Sequence, residues 1–329
     1  MITVVGSVNL DLVARVARLP AAGETLAATG FTRVPGGKGA NQALAARRLG
    51  AEVRLVAAVG AATTRRQGTT DEAGAAHRRD TGGGARPRDG DGWDAQASEA
   101  LSLLLAGGVR LDGVRRAAAA TTGLAMIQVD DAGETTIVVV PGANATLRVT
   151  AADLASADAV LTVLEVPVAT VLQAAEHAPP GAFFALNAAP APRQPLPRRL
   201  LDRADLVVVN RAEYAAIGMP IAADEAGTAD ETGTVAAARC VAVTHGAAGA
   251  VLLRGGVEVA RATPPPVRAV DGTAAGDAFT AALVVALLGG TDDATALRRA
   301  CAAGALAASR PGAQPSLPTA AEVDAILAR

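Results

Sequence analysis

The stretch DGTAAGDAF, Asp271 to Phe279, leads from a turn into an apolar, Ala-rich run. Gly272 and Gly276 let the backbone turn tightly there. The amides of Ala274, Ala275 and Gly276 then point into the space before a helix. Free N–H groups and the partial positive charge of a helix start favour a phosphate or a developing anion. Asp277 falls on the first turn beside that anion hole. A carboxylate at this place has two open readings: it caps the helix, or it acts as general base toward an attacking hydroxyl.

A second stretch, PGGKGANQALAARRLG from Pro35 to Gly50, is a Gly-rich turn running into an Ala-rich helix. It lacks the phosphate-loop pattern GxxxxGK[ST], because Gly39 follows Lys38, and it lacks the dinucleotide pattern GxGxxG. What remains is a backbone that a polar ligand can approach closely, with Lys38 and Asn41 as donors, or simply a turn and helix cap.

Short β-branched runs alternate with Ala/Leu-rich helical stretches, the pattern of a mainly parallel sheet covered by helices. The pattern predicts strands at 2–5, 53–57, 159–163, 183–186, 206–209 and 240–244. It predicts helices at 41–49, 98–106, 168–177, 276–288, 294–308 and 320–327. Around 12–32 and 122–140 the sequence instead alternates and is broken by turns such as DDAGE, which predicts antiparallel strands forming a small β lid. Residues 61–89 are nearly devoid of large apolar side chains and carry a Gly triplet and charges of both signs, so a flexible surface insertion is expected. Ala222 to Thr234 is a second, smaller polar surface stretch.

The 329 residues suffice for a substantial core, and the chain reads as a single large domain with that insertion. Lys plus Arg is 30 against 32 Asp plus Glu, too balanced for a nucleic-acid or membrane-surface binder. Only 2% of residues are aromatic, so the core must be aliphatic and base-stacking platforms are not expected. Cys240 and Cys301 offer no disulfide framework, which fits a reducing cytoplasm. The N-terminus begins directly with a strand-like run and has no secretory pattern, and no apolar run approaches membrane-spanning length. His77, His177 and His245 have no neighbours in sequence that suggest a metal or nucleophile site.

GGKGAN (Gly36 to Asn41) and DGTAAGDAF resemble the two signature regions of the ribokinase family, the PfkB-type sugar kinases. Between and around them, GSVNLD (Gly6 to Asp11), Leu164-Glu165 before Pro167, LNAAPAP (Leu186 to Pro192), NRAE (Asn210 to Glu213), THGAAG (Thr244 to Gly249) and GAQPSLP (Gly312 to Pro318) follow the family's order. The resemblance implies one kinase domain over the whole chain, a three-layer α/β/α fold with a β-sheet lid, and a homodimer formed through that lid. It implies ATP-dependent phosphorylation of a sugar, with D-ribose as the expected acceptor at O5, Asp277 as base, and Ala274 to Gly276 as anion hole. Asn9, Asp11, Gly37, Lys38, Gly39, Ala40, Asn41 and Glu165 would bind the sugar. Asn210 and Glu213 would place Mg²⁺ and the phosphates, with Thr244, Gly246, Gly249, Gly276 and Cys301 along ATP. A K⁺ activator would sit at Asp271, Thr273, Ala307, Arg310, Gly312 and Ser316, partly through backbone carbonyls.

The sequence departs from the family in the 61–89 stretch, where a short turn is usual, and in Ala188, where Pro is usual. Every motif-matched polar residue is present, so an active enzyme is expected. The alternatives are a sibling kinase acting on deoxyribose, another sugar or a nucleoside, and a silent sugar- or nucleotide-binding protein.

Overall fold

A computed structural model of the chain describes residues 1–62, 92–217 and 239–329. Most of the 61–89 stretch, His77 and the polar stretch Ala222 to Thr234 lie outside the described residues. In chain order the strands are β1 (Ile2–Val5), β2 (Asn9–Arg15), β3 (Gly30–Gly36), β4 (Val53–Gly60), β5 (Arg110–Ala117), β6 (Gly123–Val129), β7 (Thr135–Val140), β8 (Ala159–Val163), β9 (Phe183–Asn187), β10 (Leu206–Asn210), β11 (Cys240–Thr244), β12 (Ala250–Arg254) and β13 (Val257–Ala262). The helices are α1 (Lys38–Arg48), α2 (Ala95–Ala100), α3 (Ser102–Ala106), α4 (Ala151–Leu154), α5 (Val168–His177), α6 (Arg198–Arg203), α7 (Arg211–Ala216), α8 (Ala275–Leu288), α9 (Asp293–Ala308) and α10 (Ala320–Leu327).

The central sheet runs β13-β12-β11-β10-β9-β8-β1-β4-β5, parallel from β11 to β5 and antiparallel at β12 and β13. Both faces are buried, so its strands are apolar throughout rather than alternating. Successive residues nonetheless feed different cores. Val4, Leu55, Leu161 and Val208 pack with α1, α8 and α9 on one face, while Val5, Val56, Val160 and Val207 pack with α5 and α6 on the other. The result is the three-layer α/β/α architecture expected from the alternation of elements. Helix α8 is apolar around most of its circumference because it lies between α1, α9 and the sheet.

A second sheet, β3-β2-β6-β7, stands outside the first. Its two hairpin-like pairs, β2–β3 and β6–β7, are antiparallel as expected, but β2 and β6 pair in parallel and join them. That parallel pair links residues more than a hundred positions apart, so no local turn signal announces it. The predicted strands at 2–5, 159–163 and 240–244 have the observed bounds. The β12–β13 hairpin was not anticipated, although Gly255 and Gly256, both at positive φ (56° and 82°), form the kind of two-residue turn such a hairpin uses. Also unanticipated were β5 and the short helices α4, α6 and α7. The helix expected at 98–106 is divided at Leu101 into α2 and α3.

Candidate active site

Strand β1 ends where the chain crosses the start of α1. A Cβ on Gly39 would lie 2.5 Å from the Ser7 nitrogen, so the two backbones are in contact and only glycine fits. The N-terminal amides of α1, which have no intrahelical partner, are answered from this crossing. Lys38 N donates to Glu165 Oε2 (2.9 Å), Gly39 N to Ser7 Oγ (3.3 Å) and Ala40 N to the Ser7 carbonyl (2.9 Å). Glu165 Oε2 also accepts from Ser7 Oγ (2.5 Å) and Asn9 Nδ2 (3.5 Å). The amides of Lys38, Gly39 and Ala40 are therefore committed within the protein. Beyond these amides, the turn presents the side chains of Lys38 and Asn41. Ser7 was not singled out from sequence, although it stands inside GSVNLD.

Asn9 and Asp11 lie on β2 beside this turn. Asn9 Oδ1 accepts from Asn144 Nδ2 (2.8 Å), and Asn144 is itself held by Val8 N on its Oδ1 (3.0 Å). Asn144, in the 3-10 turn Gly142–Thr146, is a second residue that sequence reasoning missed; an isolated Asn in GANAT gives no local signal. Asp11 is 8% exposed and packs against Gly36, where a Cβ would fall 2.1 Å from Asp11 Oδ2. Burial, then the nearby charges of Glu165 and Asp277, push the Asp11 carboxyl up to about 7, with Lys38 opposing. Lys38 is held protonated above the usual lysine range, chiefly by Asp277 and also by Glu165, Glu213 and Asp11.

Asp277 is buried in the first turn of α8. Asn41 Nδ2 donates to its Oδ2 and Gln42 Nε2 to its Oδ1, both at 2.9 Å. Asp277 does not accept from a helix N–H, so the capping reading left open by the sequence is not realised. The Oδ1 of Asn41 is buried and accepts from no group among the described residues. Ala274, which precedes α8, has φ 61°, the left-handed region that a non-glycine residue rarely occupies. Ala275 N donates to the Gly272 carbonyl (3.2 Å), so within the expected anion hole one amide is held by a turn.

On the other side of the α8 start lies a cleft of about 510 Å³. Thr244, Gly246, Gly249, Gly276 and Cys301 all line it, together with Pro264 to Val267 and Phe279. Gly249 has φ 99°, and a Cβ there would sit 2.1 Å from the Ala262 carbonyl oxygen, which explains the glycine at this point of THGAAG. Thr244 Oγ1 donates to the Val209 carbonyl (3.3 Å), and Cys301 Sγ to the Ala262 carbonyl (3.6 Å). Burial pushes the Cys301 thiol up to about 11. Asn210 and Glu213 form a reciprocal cap on α7: Glu213 N donates to Asn210 Oδ1 (2.9 Å) and Asn210 N to Glu213 Oε2 (2.8 Å). Burial raises the Glu213 carboxyl, while the Asn210 N–H and the Lys38 charge lower it.

Of the residues matched to the K⁺ site, Asp271, Thr273 and Gly312 are in contact. Asp271 Oδ1 accepts from Thr273 N (2.9 Å) and Thr273 Oγ1 (2.6 Å), and its Oδ2 from Gly312 N (2.8 Å). Asp271 N donates to the Ala308 carbonyl, which binds this turn to the end of α9. The Arg310 guanidinium pairs with Glu322 (2.5 Å), so only its backbone is left for an ion. Ser316 Oγ donates to the Ala313 carbonyl (2.8 Å).

A cluster of buried polar side chains around Asp277 thus lies beside a cleft of about 510 Å³ at the start of α8. The pfkB family carbohydrate kinase pattern matches residues 1–69 and 92–320, and the chain belongs to this family. The match skips 70–91, most of which falls in the 61–89 stretch that the sequence marks as atypical. The chain is 35% identical to the ribokinase of Bacillus subtilis, over 99% of both proteins. The structure of Arabidopsis thaliana ribokinase complexed with ribose and ATP superposes with a TM-score of 0.78 at 28% identity, covering 99% of this chain and 98% of that one. A deoxyribokinase of Salmonella typhi is 28% identical over 97% of this chain and 95% of its own length. The fold and family make this protein a sugar kinase that uses ATP.

Proposed function

We propose that the chain phosphorylates D-ribose at O5, with ATP as donor. The observation that carries this reading is Asp277, buried in the first turn of α8 next to Gly276, which lines the cleft, its carboxylate held by the amide side chains of Asn41 and Gln42 on α1. In this reading the sugar lies among Asn9, Asp11, Lys38, Asn41 and Glu165, and ATP fills the cleft with its phosphates toward Gly276. Asn41 Oδ1, buried without a partner among the described residues, supplies an acceptor for a sugar hydroxyl. Asp277 takes the proton of that sugar's reacting hydroxyl as its oxygen bonds to the terminal phosphorus. The bond from this phosphorus to the bridging oxygen breaks, and ADP leaves with the electron pair. The start of α8 and Lys38 stabilise the charge on the transferring group, and phosphoryl transfer depends mainly on such positioning and electrostatics.

Glu213 offers a buried carboxylate whose charge is felt at Lys38 and Asp277, and with Asn210 it forms an oxygen-donor set suited to Mg²⁺ held through water. Such an ion neutralises phosphate charge when bound. The Asp271 carboxylate with carbonyls of 307, 310 and 312 suits K⁺ in the same way, since hard cations take oxygen ligands. Ala274 to Gly276 remain the proposed anion hole, with the Ala275 amide shared with Gly272.

The second sheet is proposed to close over the sugar and to pair two copies of the chain. Its edge strand β7 is exposed along its whole length, and Phe31, Met126 and Ile137 to Val140 are exposed apolar side chains on the same sheet. An apolar free edge of this kind is normally covered. Both cysteines are free and buried, in keeping with a reducing compartment, and we assign the protein to the cytoplasm. No helix among the described residues is long and apolar enough to cross a membrane.

The test is ADP release from purified protein with ATP and Mg²⁺, with D-ribose present or omitted, in K⁺ or Na⁺. Turnover that needs D-ribose and falls by about 10²–10⁴ in Asp277→Asn, with sugar affinity retained, supports the reading. Turnover on deoxyribose in place of D-ribose would assign the sibling activity, which the deoxyribokinase relative makes the natural second reading. Silence of folded protein on a panel of sugars and nucleosides would refute the kinase assignment.

A further inference from the structure

Gln42 is fully buried and directly follows Asn41, where the GGKGAN motif ends. Its Nε2 makes two hydrogen bonds of 2.9 Å, one to Asp277 Oδ1 and one to Asn187 Oδ1. An amide nitrogen has two hydrogens, so both are used. Asn187, at the end of β9, donates from Nδ2 to the Val208 carbonyl at 3.1 Å. That carbonyl fixes the direction of the whole chain, because it can only accept. Asn187 must turn its Nδ2 toward β10 and its oxygen toward Gln42, and Gln42 must answer with its nitrogen. The same nitrogen then faces Asp277, whose other oxygen accepts from Asn41. The line of bonds from Val208 through Asn187 and Gln42 to Asp277 runs from the central sheet, through α1, to α8.

We propose that Gln42, oriented by Asn187, is a positioning residue that fixes the carboxylate plane of Asp277 for proton transfer from the sugar hydroxyl. This rests on Asp277 being the base. The two amides divide the work. Asn41 stands on the Oδ2 side with its own oxygen free for the sugar, whereas Gln42 is sealed from solvent and belongs to the scaffold. Its Oε1 has no partner among the described residues either, so packing and these two donated bonds hold the side chain. Misplacing a catalytic group by a fraction of an ångström slows chemistry without weakening ground-state binding.

The experiment measures kcat, KM, the D-ribose dissociation constant by calorimetry without ATP, and the melting temperature. It compares wild type, Gln42→Met, Asn187→Leu and the double variant. Methionine keeps the length of glutamine and removes the N–H donors. Asn187→Leu leaves the Val208 carbonyl bonded to Ala188 N (3.0 Å). The expected result for Gln42→Met is a kcat lowered at least about tenfold per folded molecule, with D-ribose affinity within about twofold. The double variant should be no slower than Gln42→Met alone, because residues acting as one unit are not additive. If Gln42→Met does not fold, Asn187→Leu and Gln42→Glu, which has the same shape but sets a carboxylate against Asp277, carry the same test. Unchanged kcat per folded molecule, or fully multiplicative losses in the double variant, would overturn the proposal while leaving the kinase reading intact. Wild-type protein without sugar-dependent turnover, or Asp277→Asn as fast as wild type, would instead overturn the reading on which it rests.

Discussion

Replacing Asp11 by Asn should make the free protein more stable, and increasingly so as pH rises. Asp11 is held in a site 8% exposed, near Glu165 and Asp277, and its carboxyl rises from the ordinary 3.8 to about 7. In the unfolded chain it is ionised above about pH 4, whereas in the folded protein it keeps its proton until about pH 7. Between those values the folded state binds more protons than the unfolded state, so this carboxyl makes stability fall as pH rises, levelling off above about 7. At 1.36 kcal/mol per pH unit, burying this carboxyl costs, relative to its cost at acid pH, up to about 4 kcal/mol at pH 8 and roughly 1–2 kcal/mol at pH 5. Asparagine has the same shape and stays neutral, so it lacks this slope. Urea unfolding at both pH values should show the gap between Asp11→Asn and wild type widening by about 2–3 kcal/mol from pH 5 to pH 8. A gap that stays constant, or an Asp11→Asn protein less stable at pH 8, would refute the argument that burial and like charge hold this carboxyl protonated. The stabilised variant should also show a raised KM for the sugar, the usual exchange of stability for a binding site.

Gly37 has φ 89°, and a Cβ there would lie 2.7 Å from the Asn9 nitrogen. Gly37→Ala should therefore lower stability by more than about 1–3 kcal/mol and raise the sugar KM, seen in denaturant melts and steady-state kinetics. Burial holds both Cys240 and Cys301 at about 11, so neither should react readily with iodoacetamide at pH 8. Native protein should be labelled about a hundredfold more slowly than urea-unfolded protein, and equal rates would contradict the buried sites. Ile137→Arg on β7 should leave the melting temperature nearly unchanged, because this side chain is 54% exposed, and should shift sedimentation from dimer to monomer. A wild-type protein that sediments as a monomer would dispose of pairing through this sheet.

Much of the fold was legible in the sequence because apolar β-branched runs and Ala-rich stretches are local signals. The strands 2–5, 159–163 and 240–244 and the helices 168–177 and 320–327 have the bounds their residues suggest. The motif residues Asn41, Glu165 and Asp277, read as one site, do meet through the turn around Lys38. The sequence assigned glycines 39 and 249 to ligands, whereas the structure shows each also required by a close approach of protein backbone.

What only the tertiary structure decided is where each buried polar group finds its partner. Glu165 answers the start of α1 and the Ser7 hydroxyl, 158 residues away from Ser7. The Asp277 carboxylate is held from 235 residues away by Gln42, which looks from sequence like one more polar residue in an Ala-rich helix. Likewise, the parallel pairing of β2 with β6 depends on crossovers that no local turn encodes. Residue type specifies what a group must bond to. Which group arrives within reach is set by how the sheet is wound, and only in the folded chain do the ends of β1 and β8 meet the start of α1 at Glu165, and α1 and the end of β9 meet the start of α8 at Asp277.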